Sequence, residues 1–81
     1  MTKVEFEIEK NALENLVYAN HIISCEKCCL YEKYNFDWNR HADEEGVEEA
    51  KRIWLALEET NRFFDEKIAK KRKLLETANF D

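Results

Sequence analysis

Proline is absent from this chain of 81 residues, and Gly46 is its only glycine. Sheets and compact enzyme loops need more turn residues than that, so the chain should consist of long helices joined by few turns. No apolar run is long enough to cross a bilayer, and the first residues lack the pattern of a secretion signal, so a cytoplasmic protein with no membrane association is expected. The three cysteines include an adjacent pair, Cys28 and Cys29. An adjacent pair cannot bridge comfortably and would leave an odd thiol, so a disulfide framework is not expected. Basic residues are also in deficit: 13 Lys and Arg stand against 18 Asp and Glu, a net charge of −5. Gripping phosphates needs a broad basic face, so nucleic-acid binding is disfavoured.

What is present fits one small helical domain spanning residues 1–81. The hydrophobic share of 44% and the charged share of 38% suit solvated helices with apolar stripes rather than disorder. A domain of this size commonly gains stability from a second subunit, a partner or a metal.

Val4, Phe6 and Ile8 alternate with Glu5, Glu7 and Glu9. That is the period of a half-buried strand, expected over residues 3–9. A lone strand leaves its backbone groups unpaired, so Val4, Phe6 and Ile8 would serve oligomerisation by pairing with another edge. Asn11 is a good N-cap and Glu14 stands at the capping-box position, so a first helix is expected over residues 11–34. One face of it would carry Leu13, Leu16, Val17, Ala19, Ile23, Leu30, Tyr31 and Tyr34. A weaker apolar strip on the other side would carry Tyr18, Ile22, Cys25 and Cys29. A second helix, about ten residues longer, is expected over 43–78 with Asp43 as its cap. Val47, Ala50, Trp54, Leu57, Asn61, Phe64, Ile68, Lys71 and Leu75 recur there at alternating spacings of three and four, a coiled-coil seam. Leu57, Asn61, Phe64 and Ile68 are its candidate oligomerisation residues. The expected fold class is thus mainly α: a short N-terminal β-strand, then an antiparallel two-helix hairpin with a long second helix, assembled as a dimer or higher oligomer.

The stretch "KVEFEIEKNALENLVYAN" resembles the first half of the ribbon-helix-helix repressors, in which paired strands of a dimer lie in the DNA major groove. The resemblance covers about the first twenty residues. Here Glu5, Glu7 and Glu9 would face the phosphates and be repelled, and the glycine-containing turn after the first helix is missing. The resemblance therefore implies strand pairing for assembly, without DNA readout.

Every histidine and cysteine falls in "HIISCEKCCLYEKYNFDWNRH". His21, Cys25 and Cys28 share one helix face, and with His41 they could complete a tetrahedral zinc set. The competing reading is that the sulfurs are packing residues, since free cysteine behaves as a small hydrophobe. The sequence favours packing. A catalytic Cys25–His21 pair has no oxyanion hole or glycine-rich loop to support it, so no enzyme is expected. The Lys67–Lys73 run suits the negative end of a helix dipole. The acids Glu5, Glu7, Glu9, Glu14 and those within Asp43–Glu49 could imitate a phosphate array, or simply confer solubility.

Two tryptophans, three tyrosines and five phenylalanines exceed what a two-helix core can hide. Trp38, Trp54, Phe63, Tyr18 and Ile22 are therefore the candidate partner-binding residues. The leading expectation is a small non-enzymatic interaction protein that binds and modulates another protein, acting as an inhibitor of the kind encoded by phages and mobile elements. One alternative is a helical homo-oligomer that binds a small anionic ligand such as a nucleotide through His21, Arg40, His41 and Lys67–Lys73. The other is a zinc-stabilised helical module. No further cofactor is expected.

Overall fold

Thr2, rather than Asn11, opens the first helix. In the computed structural model, which describes residues 1–80, helix α1 runs Lys3–Glu32 and helix α2 runs Val47–Glu76, with a 3-10 turn at Asn39–His41 between them. The two 30-residue helices pack against each other as an antiparallel hairpin, 61 × 15 × 14 Å overall. Asn20 meets Asn61 and Asp65 near mid-length. Glu9 meets Lys71 towards the open end, and Tyr31 meets Trp54 at the closed end.

The expected strand over 3–9 is helix. The Thr2 side chain accepts from the Glu5 N–H at 3.1 Å, and the Phe6 N–H bonds the Thr2 carbonyl at 3.0 Å. Thr2 and Glu5 form the T-x-x-E spacing of a capping box three residues into the chain, a start signal equal to that at Asn11. Alternation of Val4, Phe6 and Ile8 offered strand periodicity, but an unpaired strand leaves its backbone unsatisfied, whereas helix satisfies it within the segment. Continuing the helix also brings Phe6 to Phe80, with ring centroids 5.2 Å apart. With no strand among the described residues, the likeness to ribbon-helix-helix repressors goes no further than the sequence.

The other boundaries shift as well. Helix 1 ends at Glu32, two residues short of Tyr34, where Asn35 (φ 56°) and Phe36 (φ 57°) turn left-handed. Helix 2 starts at Val47 instead of Asp43 and ends at Glu76 instead of Ala78, so it is no longer than its partner. Its N-cap is Gly46 at φ 86°, a backbone shape that L side chains adopt only at a cost. The single glycine of the sequence therefore marks the turn into α2.

Each α2 seam position from Val47 to Leu75 is buried or half-buried against α1 of the same chain. The predicted inner face of α1 is half-buried likewise, except Val17, which is 39% exposed at its margin. The hairpin is one layer thick, and its buried apolar residues among those described are Val47, Ala50 and Ile68, all from α2. Two polar layers interrupt the seam. Asn61 donates to Asn20 Oδ1 at 2.7 Å and to the Asn20 carbonyl at 3.2 Å, while Asn20 donates to Asp65 at 2.8 Å. Asn61 Oδ1 is buried without a partner. Lys71, which the seam pattern would place where the core reaches water, is half-buried and paired with Glu9 at 2.5 Å. These layers fix which turns of α1 and α2 face each other, because a slip would strand each group.

Candidate protein-binding surface

In an antiparallel helix pair, the residues one position before each core position lie on the same side of both helices, and those one position after lie on the other. Here the two sides differ in chemistry. Before the core positions stand Ile8, Ala12, Asn15, Ala19, Ile22, Glu26 and Cys29 on α1. On α2 stand Glu49, Ile53, Ala56, Thr60, Phe63, Lys67, Lys70 and Leu74. After them come Lys10, Glu14, Val17, His21, Ser24 and Cys28 on α1, and Glu48, Lys51, Leu55, Glu58, Arg62, Asp65, Ala69 and Arg72 on α2. The second side is an ordinary solvated face, with ion pairs such as Lys51–Glu48 and Arg62–Glu58. The first is largely uncharged, and its large apolar side chains point at water: Ile8 is 61% exposed, Phe63 55%, Ile53 49%, and Ile22 and Leu74 slightly less. Tyr18, on the outer edge of α1, is 68% exposed. Phe63 touches Phe64 and lies under the Lys67 ammonium, 5.1 Å from the ring centroid, but remains open on its outer face. Contiguous apolar surface of this kind marks contact sites more often than a scattered exposed leucine does.

The proposed partner-binding residues thus separate into two groups. Tyr18, Ile22 and Phe63 are exposed. Trp38 and Trp54 are half-buried in an aromatic cluster at the closed end. Trp38 stacks on Tyr31 at 4.8 Å and approaches Tyr34 at 5.1 Å, and Trp54 packs on Tyr31 at 5.6 Å with the Lys27 ammonium over its ring. Phe36 adds an edge contact to Tyr31 at 5.4 Å yet is half exposed. Asp37 Oδ1 caps the 3-10 turn by accepting from the Asn39 and Arg40 N–H groups. The tryptophans therefore anchor the loop. Among the proposed oligomerisation residues, Leu57, Asn61, Phe64 and Ile68 face α1 within the hairpin, and Phe6 faces Phe80. Val4 and Ile8 are exposed on a helix instead of on a strand edge.

The cysteine and histidine residues do not converge. Cys25 Sγ lies 3.6 Å from His21 Nε2, one turn away on an exposed face. His41 sits in the loop with Nδ1 2.7 Å from Glu44 and Nε2 3.1 Å from Asn35 Oδ1, and its ring edges Tyr34. About 13 residues of helix rise, on the order of 20 Å, separate His21 from that loop. Among the described residues no group of three His, Cys, Asp or Glu side chains is arranged to hold a metal. Arg40 and His41 at the closed end are likewise remote from Lys67–Lys73 in the open half, so one molecule does not gather the anion-binding set. No described helix is long and apolar enough to cross a membrane.

Comparison with family models, curated proteins and solved structures finds no match to this chain.

Ile53, Ala56, Thr60 and Leu74 lie outside the coiled-coil seam that the sequence predicts. Their signal was available: they repeat the spacing of three and four one residue ahead of the main seam.

Proposed function

We propose that this chain is a non-enzymatic helical-hairpin module that binds and modulates another protein through the uncharged side formed by Ile8, Ile22, Ile53, Phe63 and Leu74. The observation that carries the reading is that most of the exposed large apolar side chains stand on one side of the hairpin, where charges are few, while the other side is mostly charged. Ala12, Ala19, Ala56 and Thr60 lie between them, so a helix of another chain can approach closely. A pair of helices with a second apolar side fits partner recognition by helix packing, in which anchors from one chain enter gaps in the other. Aromatic and branched anchors amid small residues supply the affinity, and the surrounding charges supply orientation.

The test is affinity capture of the tagged protein from lysate of its source, with Ile22→Asp/Phe63→Asp and, on the charged side, Leu55→Asp compared in parallel. A partner retained by wild type and Leu55→Asp, and lost from the double variant, is the expected result. A partner held equally by all three would refute this surface.

A further inference from the structure

We propose that the uncharged side takes a second copy of this chain, packed antiparallel to the first, so that two hairpins form a four-helix bundle with their closed ends at opposite ends of the rod. The proposal rests on the reading of that side as a binding surface and names its occupant.

Area is the first argument. The side, Glu49 to Leu74 on α2, extends over roughly 38 Å of helix and spans the 15 Å width of the hairpin. That is a footprint on the order of 600 Å² per copy, at the lower end of the range of about 600–1,000 Å² per partner in stable specific interfaces. The hairpin also lacks a second layer: among the described residues only Val47, Ala50 and Ile68 are buried apolar residues, and α1 contributes none. A second copy laid on this side would supply the missing layer along the whole seam, where a short peptide would cover part of it.

Charge placement sets the orientation. The acids on this side, Glu26 and Glu49, lie in the closed half, and the bases Lys67 and Lys70 lie in the open half; Glu5 stands at the rim of the open end. Asn20 bonds both Asn61 and Asp65, so Phe63 lies at the level of Asn20, near the middle of both helices. A two-fold axis crossing the rod there brings Phe63 and Ile22 of the two copies together at the centre. With α1 laid on the partner's α1 and α2 on its α2, it sets Ile8 towards the partner's Cys29 and Leu74 towards its Ile53, and places Glu49 opposite the partner's Lys70. A parallel pair would instead gather Lys67 and Lys70 of both copies at one level of the rod and the acids at another, which is less favourable.

Sedimentation equilibrium of purified protein under reducing conditions tests this directly. Wild type and Leu55→Asp should both weigh as dimers, and Ile22→Asp/Phe63→Asp should raise the dissociation constant by roughly 100-fold or more. Circular dichroism should stay helical, since both substituted residues are exposed. Orientation is read by thiol oxidation of the dimer. In a Cys25→Ser/Cys28→Ser/Cys29→Ser background, Thr60→Cys places one thiol beside the two-fold axis, where antiparallel copies lay α2 against α2 and should cross-link. Parallel copies would lay α1 against the partner's α2, hold the two introduced thiols diagonal across the bundle, and give no cross-link.

A monomer at hundreds of micromolar would overturn the second copy as occupant, while loss of a captured partner in the same double variant would leave the binding-surface reading standing. A dimer untouched by the double variant would overturn the proposal by placing the contact elsewhere. A dimer that the introduced thiol fails to cross-link would overturn the antiparallel arrangement.

Discussion

Replacing Asn61 by leucine should stabilise this protein. Asn61 is 7% exposed, at the centre of the α1–α2 seam, and its Oδ1 has no partner. Its amide makes two hydrogen bonds to Asn20, whose loss costs about 1 kcal/mol each. Neither acceptor is then left in a dry interior, since Asn20 is only half-buried. Against that loss, removing a buried orphan oxygen returns about 1–3 kcal/mol, and burying a leucine contributes about 1.5–3 kcal/mol. The net should be a gain of roughly 0.5–4 kcal/mol. For a domain of this size each kcal/mol moves the melting midpoint by roughly 4–8 °C. Urea titration at fixed protein concentration reads the change directly. The neighbouring substitution Asn20→Ala has the opposite sign: it strips Asn61 of its 2.7 Å bond and Asp65 of its donor, a loss of about 1–3 kcal/mol. If Asn61→Leu lowered stability by more than about 1 kcal/mol, the unpartnered oxygen and the reasoning from it would be wrong.

Other substitutions probe the remaining elements. Gly46→Ala should cost about 1–2 kcal/mol at φ 86°, although a Cβ there meets no atom within 4 Å; a neutral result in denaturant titration would mean the turn can rebuild. Thr2→Ala removes the cap on the α1 N-terminus and should cost about 1 kcal/mol, with faster amide exchange over residues 3–9; unchanged exchange would refute the cap. Trp54→Ala opens the aromatic cluster at the closed end and should cost about 3 kcal/mol or more by calorimetry; a loss below about 1 kcal/mol would show that the cluster does not anchor the loop. Cys25→Ser/Cys28→Ser and added chelator should leave the melting midpoint unchanged. A fall on chelation would restore the zinc module.

The helical class and the α2 seam were legible because both rest on periodicity that spans about eight turns of helix. A long run at spacings of three and four, from Val47 to Leu75, leaves little room for another structure. The N-terminus misled because five alternating residues from Val4 to Ile8 fit a strand template, while the stronger evidence was the Thr2–Glu5 cap and the absence of any second strand to pair with. The length of α2 was overestimated because Asp43 is as good a cap residue as any, and only the left-handed backbone need at Gly46 decides between them. The two tryptophans stand among the candidate partner-binding residues because the chain has more rings than a two-helix seam can cover, yet Trp54 also falls in the seam pattern and the turn residues before and after Trp38 allow it to fold back. The structure joins both on Tyr31. The uncharged side needed the antiparallel register before Ile22 and Phe63 could be placed together, since neither helix alone tells which side of the other its second stripe will join.

Hydroxyl-radical footprinting of the assembled protein, read residue by residue, tests the central claim most directly. Labelling at high and low protein concentration should show Phe63, Ile53, Ile22 and Leu74 protected as the protein associates, with Leu55 and Val17 equally reactive in both. Protection of Leu55 and Val17, with Phe63 and Ile22 left open, would contradict the assignment of the uncharged side as the surface through which this hairpin binds.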